Sequence, residues 1–163
     1  MTRALLCLAF LIMPVSVAAQ VPDASAKVVQ PEASPFEEKA DAAANVDSAL
    51  ARAKASRRDA ILVFGANWCG DSRALAGWFA TPRFKAMLDL RYEIVWIDIG
   101  QRDRNIDLAK RFGLDGIKGT PTVLIVDGEG KALNLKDAPR WKNARSRSED
   151  AIYTAFETRE RRQ

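Results

Sequence analysis

The sequence predicts an α/β domain in which one mixed sheet is flanked by helices on both faces. Three short apolar, β-branched runs, at residues 61–64, 92–99 and 122–126, alternate with helical patterns. Such runs fit strands covered on both sides. After the third run, Asp127-Gly128-Glu129-Gly130 is a hairpin turn into a fourth strand at residues 131–135. The order helix, strand, helix, strand, helix, strand, strand, helix joins parallel strands by crossovers and closes them with an antiparallel arm.

Length and composition bound the answer. A chain of 163 residues holds one domain plus tails, and 48% apolar with 28% charged residues is ordinary for a globular protein. A formal charge of +4 is too small to argue for nucleic acid, and the basic residues are scattered until the C-terminal end. At the N-terminus, Arg3, an apolar run over 4–17 and the small residues Val17-Ala18-Ala19 before Gln20 read as a signal peptide at 1–19. The run is shorter than the ~20 residues a bilayer needs. No stable membrane anchor is therefore expected, and the location expected is periplasmic or secreted. No lipobox precedes Cys7.

Cleavage removes Cys7 and leaves Cys69 as the cysteine of the exported protein. A lone cysteine in an oxidising compartment points to a reactive thiol or to intermolecular pairing. The sequence has no histidine. That excludes Ser–His and Cys–His catalysis, and one thiol with scattered carboxylates makes no zinc site. Neither metal nor cofactor is expected. The chemistry is thiol chemistry, or there is none.

Along the chain, residues 20–34 lack periodicity and read as a flexible linker before a domain at 35–163. Ser34-Pro35-Phe36-Glu37 has the form of a capping box and predicts a helix start. Val46, Ala49, Leu50 and Ala53 then make one apolar stripe at helical spacing, although Asn45 can break or recap the helix. A second helix carries Leu75, Trp78 and Phe79 inward until Thr81-Pro82 ends or kinks it. Phe84, Met87 and Leu88 form the next short apolar face. Ile106, Leu108, Ala109 and Phe112 suggest a short helix, and residues 113–119 a glycine-punctuated loop. Residues 138–145 are basic and irregular. Ser146-x-x-Glu149 opens a final amphipathic helix with Ile152, Tyr153 and Phe156 inward and Arg159, Arg161 and Arg162 at its end.

The stretch Phe64-Gly65-Ala66-Asn67-Trp68-Cys69-Gly70-Asp71-Ser72-Arg73 carries the chemistry. It puts Cys69 at a helix N-terminus, where unpaired backbone N–H groups and the dipole attract negative charge. Ser72 follows three residues later and offers a hydroxyl that can donate to the sulfur. Asp71 suits the first turn through the dipole, and opposes a thiolate where its carboxylate points at the sulfur. Next to the sulfur, Trp68 is expected to cover the site and meet whatever binds there, with Gly70 and Asp71 completing the surface beside the thiol.

Trp68-Cys69-Gly70, the run Ile117-Lys118-Gly119-Thr120-Pro121-Thr122 and the turn at 127–131 resemble the thioredoxin superfamily in order and spacing. The wording is closest to exported bacterial members whose motif is usually Trp-Cys-x-Asp-Cys. The resemblance covers residues 46–156. It implies that Thr120 and Pro121 form a cis-proline loop beside Cys69 that pairs with extended substrate backbone. It also places the family's second cysteine on Ser72, its buried acid on Val63 and the lysine paired with that acid on Ile94. Without a second thiol, attack and mixed-disulfide formation survive but intramolecular release does not. The resemblance thus implies monothiol exchange, isomerisation or covalent client capture, with protein thiols or disulfides and small thiols as partners. Its alternative is a non-catalytic client-binding module that kept the Thr120-Pro121 groove. A one-cysteine peroxidase is weaker, because Ala66 stands where that chemistry wants a threonine.

Overall fold

β1 (Asp59–Gly65) is the middle strand of a three-stranded sheet, parallel to β2 (Tyr92–Asp98) and antiparallel to β3 (Thr122–Val126). The computed structural model describes residues 29–158. The signal peptide read at 1–19, Cys7, the linker up to residue 28 and Arg159, Arg161 and Arg162 lie outside these residues. Val63 sits opposite both Trp96 and Val123, and this register fixes which side chains share a face.

Alternation along β1 builds two cores. Ala60, Leu62 and Phe64 point to one face, under α1 (Ala42–Ser56) and α4 (Ile106–Lys110). There the stripe of Val46, Ala49 and Ala53 is fully buried, and the small alanines let α1 lie close to the sheet. Ile61 and Val63 point to the other face, under α2 (Gly70–Ala80), α3 (Pro82–Arg91) and α5 (Glu149–Glu157). Aromatic rings fill that side: Phe79 meets Phe156 edge-on at 4.9 Å, and Trp141 stacks on Phe156 at 4.8 Å. The fold is thus the α/β sandwich with a mixed sheet that the apolar runs predict.

Three local expectations are corrected. The first is the helix start at Ser34. Residues 34–37 are not helical, and α1 begins after Asp41, whose carboxylate accepts the Ala44 N–H at 3.0 Å. Phe36 is instead a core residue, 2% exposed and edge-on to Trp96 at 5.4 Å. Burial of that ring outweighs the local capping preference. The end of the expected linker is held too: Ala33 N–H donates to Arg73 O at 3.1 Å, and Pro31 lies so close to Gly77 that a Cβ there would collide with its carbonyl.

The second is the fourth strand. Beyond the turn, pairing shrinks to one bridge, Val126 with Ala132. Asn134 takes over the ladder with its side chain, accepting from Ile125 N–H at 2.8 Å and donating to Val123 O at 2.9 Å. A side chain in the strand's place satisfies β3 but ends the arm. The third is the last cap. Ser148, not Ser146, accepts from the first turn of α5, through Ala151 N–H at 3.3 Å. Ser146 closes the preceding 3-10 segment (Ala138–Ser146), its hydroxyl donating to Asn143 O at 2.9 Å.

Candidate functional site

Cys69 is the N-cap residue of α2, reached directly from the end of β1. Its backbone is extended (φ −86°, ψ 117°) and its carbonyl starts the helix by accepting Arg73 N–H at 3.0 Å. The thiol makes no cap bond; it donates to Thr120 O at 3.3 Å. The Thr120-Pro121 peptide is cis. The loop before β3 and the start of α2 therefore meet at the sulfur, which is partly open to solvent.

The neighbours of the sulfur are fixed from several directions. Trp68 is 45% exposed, and its indole N–H donates to Gly100 O at 2.7 Å. Gly100 N–H is in turn held by the buried carboxylate of Asp98 at 3.0 Å, which pairs with Arg104 at 3.2 Å. The Arg102 guanidinium lies 5.9 Å from the Trp68 ring centre. Asp71 turns away from the role of a charge at the thiol: its carboxylate accepts Arg145 N–H at 2.8 Å. Arg145 itself lies over Gly70, with a guanidinium nitrogen 3.2 Å from where a Cβ would stand.

Ser72 is fully buried and its hydroxyl has no hydrogen-bond partner, so the donation to the sulfur allowed by the spacing is not made. A Cβ on Gly65 would stand 2.7 Å from that oxygen and 2.5 Å from Phe36 Cζ, which is why glycine ends β1 there. Beneath the site, Val63 is fully buried among apolar side chains and Ile94 is half-buried on β2. Neither position offers a proton.

A family model described as thioredoxin-like matches residues 41–128, more than half of the chain. The chain belongs to the thioredoxin-like family. This thioredoxin-like protein is also similar to a solved structure titled as a disulphide isomerase from Xylella fastidiosa Temecula1. The two are 38% identical, with a TM-score of 0.71, over 76% of this chain and 95% of the other. A comparison with curated proteins gives no match.

The residues singled out in the sequence come together only in part. Trp68, Cys69, Gly70, Thr120 and Pro121 meet around the sulfur, whereas Asp71 serves the 3-10 segment and Ser72 is buried in the protein. Asn67 was invisible to sequence reasoning although it lies inside the motif. Its side-chain amide accepts Phe36 N–H at 3.2 Å and donates to Phe36 O at 2.8 Å, tying the N-terminal segment to the loop before Cys69. No local pattern signals a bond between residues so far apart in sequence. Asn67→Ala leaves both groups without that partner and is expected to cost about 1–3 kcal/mol. Urea titration measures the loss; an unchanged midpoint would show the clamp to be dispensable.

Proposed function

We propose that this thioredoxin-like protein is an exported single-cysteine thiol–disulfide exchange protein, working in the periplasm or outside the cell after removal of residues 1–19. The Cys69 sulfur attacks a partner disulfide. One new S–S bond forms, the partner's S–S bond breaks, and its second sulfur leaves as a thiolate. An outside thiolate then attacks the mixed disulfide and frees Cys69, so disulfides are exchanged without net oxidation or reduction. The observation that carries this reading is the partly exposed Cys69 thiol 3.3 Å from Thr120 O, with only the Ser72 hydroxyl at the place of a second thiol. A serine oxygen cannot close a disulfide, so release must be intermolecular. The isomerase named for the similar solved structure supports the same class of substrate, protein disulfides.

Scrambled ribonuclease tests the proposal. The mature protein is expected to restore ribonuclease activity when a small thiol is present and to form a mixed disulfide seen as a mass adduct; Cys69→Ala is expected to do neither. If wild type forms no adduct, a non-catalytic client-binding module replaces the exchange reading.

A further inference from the structure

We propose that the partners of Cys69 are disulfides flanked by carboxylates, selected by a collar of cations around the sulfur. This rests on the exchange reading and names its substrate class. The 3-10 segment, basic and irregular in sequence, packs against α2 and β3 and brings two cations to the rim three residues apart. Arg145 lies over Gly70, next to Cys69. Lys142 lies over Gly119, next to Thr120, its Cδ 3.0 Å from where a Cβ would stand. From the opposite side, the loop after β2 sets Arg102 at the Trp68 ring. Two elements thus place three cations beside Gly70, Gly119 and Trp68, each of which adjoins Cys69 or Thr120 in the chain.

The acids nearby offset only part of this charge. Glu32 is shared between Arg73 at 3.0 Å and Arg145 at 3.7 Å, while the carboxylates of Asp71 and Asp103, bonded to the backbone N–H groups of Arg145 and Gln101, keep their charge. Against these three acids stand Arg73, Arg102, Lys118, Lys142 and Arg145. Among the described residues, Arg102 and Lys142 have no ion-pair partner, and both are exposed. Lys118, exposed and next to Gly119 in the chain, adds to the same sign. Thr120 contributes a buried hydroxyl, 6% exposed and without a partner, beside the carbonyl that receives the thiol. A carboxylate on either side of an incoming cystine meets a cation wherever it lands. The leaving thiolate emerges into the same positive field.

Three aliphatic disulfides of different charge test this: 3,3′-dithiodipropionate (dianion), 2-hydroxyethyl disulfide (neutral) and cystamine (dication). Rates of adduct formation at Cys69 are divided by the rates of a free reference thiol. The normalised anion-to-cation ratio is expected to be about tenfold at low salt, as for a steered encounter. It should fall towards one at about 1 M salt, where the screening length is about 3 Å. Arg102→Glu/Lys142→Glu is expected to invert the preference, while Lys54→Glu/Lys85→Glu, the same charge change on α1 and α3, keeps it. A wild-type ratio near one at low salt overturns the collar, as does a ratio unmoved by salt. Failure of Cys69 to react with even the neutral disulfide overturns the exchange reading instead. A cystine peptide with glutamates on both sides, run against the dianion, separates a protein client from a small acidic disulfide; a preference in either supports the proposal.

Discussion

Ser72→Cys is expected to confer insulin-reducing activity, so that reduced insulin chains precipitate in the presence of dithiothreitol. The position lies in the first turn of α2, three residues after Cys69. A thiol there attacks the mixed disulfide from within the same chain. Well-oriented intramolecular reactions reach effective concentrations of about 10⁵ M and above, so the lifetime of the adduct should collapse. The serine hydroxyl is already buried without a partner, and replacing an unsatisfied polar group by a less polar one recovers about 1–3 kcal/mol of desolvation. Turbidity reads the gain, and a thermal melt reads the stability. If the double thiol forms its disulfide yet insulin stays soluble, proton transfer is limiting. Val63 and Ile94, where the resemblance to the thioredoxin superfamily implies an acid and a lysine, are then the next positions to substitute.

Phe36→Ala is expected to destabilise the protein by about 3–5 kcal/mol, the usual cost of emptying a buried phenylalanine site. That is a large share of the roughly 5–15 kcal/mol that holds a domain together. The ring is 2% exposed, packs edge-on to Trp96, and closes over Gly65 at the end of β1. Its removal should also loosen the upstream segment that Ala33, Glu32 and Pro31 attach to α2. Urea unfolding followed by circular dichroism gives the first effect, and limited proteolysis near residue 33 the second. A loss below about 1 kcal/mol would mean the site collapses around the missing ring.

The parts legible in the sequence are those that local pattern controls. Apolar runs bounded by glycine or charge gave β1, β2 and β3 to within two residues, and Thr81-Pro82 correctly divided α2 from α3. The motif residues Trp68, Cys69, Thr120 and Pro121 were legible for the same reason, as fixed words in a fixed order. What stayed hidden rests on side chains bonding to distant backbone. Asn134 replaces a strand partner, Asn67 clamps Phe36, and Asp71 holds Arg145 N–H across 74 positions. Polar residues of this kind favour caps and turns locally, so their long-range partners leave no periodic trace. The cationic rim was hidden likewise, because Arg102 reaches Trp68 and Arg145 reaches Gly70 only once the chain is folded.

The placement of Trp68 has an optical consequence. Of the protein's 4 tryptophans, Trp78 and Trp141 are buried, Trp96 is half-buried, and Trp68 alone is strongly exposed while adjoining the sulfur. Its indole N–H is held by Gly100 O, and its exposure is expected to shift its emission to the red of the buried rings. A disulfide on Cys69 is expected to quench the neighbouring indole. The red edge of the intrinsic fluorescence should therefore fall when an adduct forms and recover on its release, a label-free readout on the native chain in real time.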